Sequence, residues 1–220
     1  MSRVAVSESN GCVCITHAVD KAKGGSSSTP PARQRRLSLS PEIGTKAIDA
    51  PWSTEIIGSH SCHGIEPGAR ADRPKAKINQ DRGAVGHPVC GDYNQALFMV
   101  FDGHGAIGDK VSEFVVHKVQ ELLEKSPELV KAEPERALSE AFLETDRLLK
   151  EDRTIDAELS GTTAIVVLYR RDPTTGTTTA YTACAGDSRA VIGLCEGGKW
   201  SAKDLSKDQK VQTATRGNRL

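Results

Sequence analysis

From about residue 54 onward the apolar positions fall into regular patterns, and the period changes along the chain. Residues 84–90 and 95–101 predict two strands joined by a polar turn, Gly91-Asp92-Tyr93-Asn94. Ile107, Val111, Phe114, Val115, Val119, Leu122 and Leu123 then recur at intervals of three and four. That spacing predicts a helix with one buried face, ended by Ser126-Pro127. A second helix is predicted from Pro134, a residue suited to a first turn, with Ala137, Leu138, Ala141, Phe142, Leu148 and Leu149 on its inner side. Strand-like runs return at Thr162 to Tyr169, Thr177 to Ala185 and Arg189 to Cys195, with Asp172-Pro173-Thr174-Thr175-Gly176 as one of the turns. Short turns between successive strands require antiparallel pairing. Helices grouped apart from such strands predict an α+β fold rather than a doubly wound parallel sheet.

Residues 1–52 stand apart from this pattern. The stretch Gly24-Gly25-Ser26-Ser27-Ser28-Thr29-Pro30-Pro31 has too little apolar surface to offset its ordering entropy. The chain therefore reads as a disordered tail (1–52), one folded domain (53–210) and a short unpatterned tail (211–220). In the first tail, Arg35-Arg36-Leu37-Ser38 has the basic-then-serine form favoured by basophilic kinases, and Ser40-Pro41 is proline-directed. A phosphate at either serine would reverse the local charge. Cys12-Val13-Cys14 is open to palmitoylation or, with His17, to a metal, and two plain tail cysteines are the simpler reading.

Composition narrows the class. The 220 residues are 37% hydrophobic and 26% charged, enough for one ordinary core. Basic and acidic residues number 29 each, which removes any global electrostatic case for nucleic acid or a membrane surface. Six irregularly spaced cysteines do not form a small-domain disulfide framework, and a reducing compartment suits them. No run approaches the roughly 18 apolar residues of a transmembrane helix, and the start lacks the basic and apolar segments of a signal peptide. The expected protein is a soluble monomer of the cytoplasm or nucleus.

Four polar or glycine-rich clusters end the apolar runs: Asn79-Gln80-Asp81, Asp102-Gly103-His104-Gly105, Ser160-Gly161-Thr162-Thr163-Ala164 and Ala185-Gly186-Asp187-Ser188-Arg189. Singly, each is an ordinary turn. In this order, with Lys77-Ile78 before the first and Asp204-Leu205-Ser206-Lys207-Asp208-Gln209 after the last, the chain resembles the metal-dependent PP2C (PPM) family of protein serine/threonine phosphatases. The likeness runs from about residue 58 to Lys210 and is greatest to plant and algal members.

The resemblance implies two antiparallel β-sheets packed face to face, flanked by helices, with a two-metal site at one end. Asp102 would bridge two Mn²⁺ or Mg²⁺ ions, with Asp81 and the Gly103 carbonyl as further ligands. A hydroxide held between the ions would attack phosphorus in phosphoserine or phosphothreonine, with phosphoproteins as substrates. His104 would be the general acid for the leaving oxygen. Asp187 would help hold a third, weaker ion, with Thr163 near it. The residues support this independently: two divalent ions need several carboxylates, and Asp81, Asp102 and Asp187 each fall beside a strand end.

The pattern also breaks. Gln80 stands where family members commonly carry Glu, so one metal ligand is neutral or supplied through water. The family's phosphate-gripping Arg is missing, leaving Lys75 or Lys77 as point charges in place of a bidentate fork. In the family, two further metal-binding aspartates lie downstream of the segment matching Asp204 to Gln209, and here the likeness ends at about Lys210. The fold is therefore expected to be incomplete at its C-terminus, with unpaired sheet edges. Two functions follow: a protein serine/threonine phosphatase, or a catalytically inactive truncated relative that binds phosphoprotein or competes with a full-length one. A zinc site at His60, Cys62 and His63 lacks the spacing of zinc modules, and an exposed strand edge is the plainer reading.

Overall fold

A computed structural model describes residues 35–39, 57–66 and 75–210, and of residues 35–39, Glu66 and Lys75 the backbone alone. The tail motifs at Cys12, Cys14, His17 and Ser40-Pro41 lie outside these residues, as does the 211–220 segment. In chain order the elements are β1 (Arg35–Leu39), β2 (Ile65–Glu66), β3 (Lys75–Ala76), β4 (Asp81–His87), β5 (Gln95–His104), α1 (Gly108–Glu124), α2 (Pro127–Ala132), α3 (Pro134–Glu151), β6 (Gly161–Thr162), β7 (Ala164–Arg171), β8 (Thr178–Ala185), β9 (Val191–Glu196) and β10 (Lys199–Asp204). The class is α+β.

The main sheet has the order β1-β4-β5-β7-β8, with β6 paired to the end of β5, and every pairing in it is antiparallel. Its two faces differ because strand side chains alternate. Ala84, Leu97, Met99, Phe101, Ala164, Val166 and Leu168 point to one side, where they pack with Val111, Val115, Val116, Val119 and Leu123 of α1 and Leu138 and Ala141 of α3. The opposite face carries Val85, Val100 and Ile165, also buried, at positions that pair Val85 with Phe98 and Val100 with Ile165. Strand parity puts Asp81 and Asp102 at the end of this second face, away from the helices.

Several element boundaries differ from the sequence expectation, each for a local reason. Pro127 stops α1 because it has no N–H to donate, and then opens the extra helix α2 from its first turn. The strand expected from Thr162 to Tyr169 is split at Thr163, whose N–H donates to the Asp102 carbonyl (2.9 Å). The third expected strand leaves the main sheet. Gly186, at φ +99°, redirects the chain after β8, and β9 pairs only with β10 in a separate ribbon. β1 lies within the stretch read as a disordered tail, where its backbone pairs with β4 from Arg35↔His87 to Leu39↔Gly83. Strands outside the main sheet form two-stranded ribbons among the described residues, β9–β10 and β2–β3.

Phe101 is wholly buried between β5 and the helices. Phe101→Ala is expected to cost about 3–5 kcal/mol of unfolding free energy, measured as a lower urea midpoint at unchanged slope. A shift of a few tenths would show that α1 and α3 do not pack on the sheet as described.

Candidate active site

Asp81 opens β4 and Asp102 lies near the end of β5, and the strand register sets them directly opposite. Both carboxyls are about half-buried. Burial first, then the charge of Asp102 and a hydrogen bond between the two carboxyls, push Asp81 up to about 6, against a pull downward from Arg82. Burial also raises Asp102, and the Asp187 charge adds to it, while the Asp81 hydrogen bond and His104 act downward. Asp81 therefore keeps its proton up to about pH 6, and above that the two carboxylates face each other charged, at a cost that a positive charge beside them would offset.

Arg82 is 9% exposed and points to the helix side of the sheet. Its Nε donates to Glu113 Oε2 (2.6 Å) on α1, and its terminal nitrogen to the carbonyls of Asn79 (3.1 Å) and Asp81 (2.9 Å). Glu113 also meets His117 Nε2 at 2.7 Å, and both neighbours hold its carboxyl below the usual range despite partial burial. Asn79 Oδ1 accepts the Asp81 N–H (3.0 Å), and its amide donates to Ser61 Oγ (2.7 Å). Both ends of the Asn79-Gln80-Asp81 segment are therefore tied.

A second set of bonds joins Asp102 to the Asp187 loop. Thr163 Oγ1 accepts the Asp102 N–H (3.1 Å) and lies 2.5 Å from the hydroxyl of buried Ser188. The loop is held from outside by Gln209, whose N–H donates to the Gly186 carbonyl (2.8 Å) and whose Oε1 accepts the Gly186 N–H (3.1 Å). Arg189 grips Asp208 through two bonds of 2.8 Å each. The Asp204 to Gln209 motif is thus the buttress of the Asp187 turn.

The sequence-predicted residues meet only in part. Asp81 and Asp102 come together, and exposed His104 ends β5 against Gly161, where an added Cβ would lie 2.8 Å from the imidazole Nε2. Asp187 is near enough for its charge to reach Asp102, yet it is half-exposed and 3.9 Å from Lys210 Nζ. Lys77 is exposed, with its stem beside Gly64 and its N–H bonded to the Gly64 carbonyl (2.8 Å); the Lys75 side chain lies outside the described residues. His60, Cys62 and His63 are exposed, in a segment that is not a strand. Among the described residues no three His, Cys, Asp or Glu side chains stand close enough to hold a metal ion. The oxygen-only pair, Asp81 and Asp102, set opposite each other, still fits a hard divalent cation, whose charge would offset theirs. Arg82, Ser188 and Gln209 were not singled out from the sequence. Arg82 had a signal, a charge within a strand of small residues.

The sequence profile of the family described as Protein phosphatase 2C matches residues 77–219, well over half of the chain. This chain belongs to the protein phosphatase 2C family. The match extends past Lys210, where the motif likeness ended. The chain is 37% identical over 167 residues to the probable protein phosphatase 2C 35 of Arabidopsis thaliana, covering 76% of this chain and 44% of that one. It is 39% identical over 125 residues to protein phosphatase 2C homolog 2 of Aspergillus fumigatus, covering 57% of this chain and 26% of the relative. It thus spans less than half the length of either. Among solved structures it is similar to a PPM Ser-Thr phosphatase from Mycobacterium smegmatis in complex with cacodylate, at 21% identity and a TM-score of 0.39, over 67% of this chain and 52% of that one. The phosphatase 2C family is metal-dependent.

The Asp81 carboxyl binds its proton more tightly folded than at the ordinary aspartate value of 3.8. Its contribution to stability is complete below that value and is lost as pH rises to about 6. Without divalent cations, Asp81→Asn is therefore expected to raise the melting midpoint at neutral pH and to flatten the fall between pH 4 and 6. Identical pH profiles for the two proteins would contradict the upward shift of Asp81.

Proposed function

We propose that this chain carries the reaction centre of a metal-dependent phosphatase that hydrolyses phosphoserine and phosphothreonine in proteins. The observation that supports it best is the half-buried Asp81–Asp102 pair with His104 two residues along the same strand. Asp81, Asp102 and the Gly103 carbonyl would hold Mn²⁺ or Mg²⁺, and Asp187 would contribute to a further, weaker ion. When bound, such cations offset the charge of the phosphoryl oxygens and activate a water for attack.

The remaining work falls to the chain's own groups. As the new bond from water to phosphorus forms, the bond to the serine oxygen breaks, and protonated His104 gives its proton to that oxygen. Lys75 and Lys77 would offer point charges to the phosphate. Arg82 holds the Asp81 peptide in place from the helix side. No helix among the described residues is long and apolar enough to cross a membrane. The free thiols of Cys62, Cys90, Cys184 and Cys195 suit a reducing compartment, and we place the protein in the cytoplasm or nucleus, acting as a monomer on phosphoproteins.

Residues 1–220 are expected to hydrolyse p-nitrophenyl phosphate with Mn²⁺ and to stop when EDTA is added. Asp102→Asn should lower the rate by at least about 10²-fold, the scale on which lost electrostatic stabilisation acts. No Mn²⁺-dependent turnover from a chain that is folded by circular dichroism would overturn the reading for this chain.

A further inference from the structure

Gln80 makes two bonds that close around His104 and a third that ties it to α1. Its backbone carbonyl accepts the Gly103 N–H (3.2 Å), and its side-chain nitrogen donates to the Gly105 carbonyl (2.7 Å). The same backbone carbonyl accepts the hydroxyl of fully buried Ser112 on α1 (2.6 Å), so its position is fixed by the helix. The residue on either side of His104 is thus tied to one amino acid. The side-chain atom facing Gly105 must be the nitrogen, because a carbonyl can only accept. A glutamate at this position, ionised, would turn an acceptor toward an acceptor and lose the bond.

The surroundings leave little room for another arrangement. An added Cβ at Gly108 would lie 3.1 Å from Gln80 Nε2 and 2.7 Å from the Gly103 carbonyl carbon. At Gly103 it would lie 2.3 Å from the Gly108 carbonyl oxygen and 2.5 Å from that of Gln80. Gly105 has φ +86° and is backed by Leu159 and Ser160. The turn from β5 into α1 is therefore wrapped on the Gln80 amide as on a peg.

We propose that Gln80 is a positioning residue for His104: it clips the Gly103-His104-Gly105 loop so that the imidazole stays beside the leaving oxygen, and it does not serve as a metal ligand. This rests on His104 being the proton donor. The consequence is a division of labour between neighbours. Asp81 faces the carboxylate side of the site, while Gln80 faces the acid side.

The full chain bearing Gln80→Met, which keeps the side-chain length without the donor, and separately Gln80→Glu, tests this. Without divalent cations, the ¹⁵N resonance of Ala106, which shares a peptide with the Gly105 carbonyl, and the ring resonances of His104 are expected to move in both variants. Amides of α3 should stay in place. Mn²⁺ affinity of the Met variant, titrated with the metal alone, should hold within about threefold, since the ligand set is intact. Turnover of a phosphoserine peptide should fall about tenfold, the worth of one hydrogen bond, while p-nitrophenyl phosphate, whose leaving group needs no proton, stays within about twofold. Unmoved Ala106 and His104 resonances in the Met variant would overturn the proposal. So would a tenfold loss of Mn²⁺ affinity with equal losses on both substrates, which is the signature of a ligand. Absence of turnover from the unmodified chain on either substrate removes the phosphatase reading, and the resonances still decide whether Gln80 holds the loop.

Discussion

Two carboxylates directly opposite one another on neighbouring strands repel, and the β4–β5 register places Asp81 and Asp102 in that relation. The pairs that follow them supply what holds the arrangement: Gly83↔Val100, Ala84↔Met99 and Val85↔Phe98. A slip of β5 by one residue would turn Leu97, Met99 and Phe101 from the helices to the opposite face and bring Phe98 and Val100 against α1. The packing of α1 and α3 on the sheet forbids that slip. The core thus pins two like charges together at its rim, and the upward shift of the Asp81 carboxyl, from burial and the Asp102 charge, is the trace of the strain. A divalent cation would relieve it, which is why the site reads as a place for metal.

The same end of the sheet is shaped by close approach of backbones. β5 passes into α1 through Gly103 and Gly108, which lie so near each other that a Cβ on either would collide with the other's main chain. Gln80 fills the remaining space and bonds on both sides of His104. Arg82 also ties this segment to α1, reaching from β4 to Glu113 while holding the carbonyls of Asn79 and Asp81. Alternation along one short segment therefore sends Gln80, Asp81 and Arg82 to three different duties.

The Asp187 turn belongs to a different mechanical unit. Its ties are the Thr163–Ser188 hydroxyl pair, the Gln209 bonds to Gly186 and the Arg189–Asp208 grip. Only the first reaches the β5 end, where Thr163 also accepts the Asp102 N–H. Asp187 stays half-exposed and acts on Asp102 through charge alone.

The sequence by itself determined the class and the ingredients. Alternating and three-to-four-residue periods located β4, β5, α1, α3, β7 and β8, because burial on one face writes its period into the order of apolar residues. The clusters at the strand ends named Asp81, Asp102, His104 and Asp187, since strand ends are where chain segments converge. Tertiary structure decided the rest. That Asp81 faces Asp102 depends on a register that no single strand encodes, and that β9 departs from the main sheet depends on the turn at Gly186. The duty of Gln80 was also invisible in one dimension: the sequence suggested a weakened metal ligand, and the fold turned its amide to Gly105, 25 positions away. Hydrogen-bond partners distant in the chain leave no periodic mark, so only the folded arrangement reveals them.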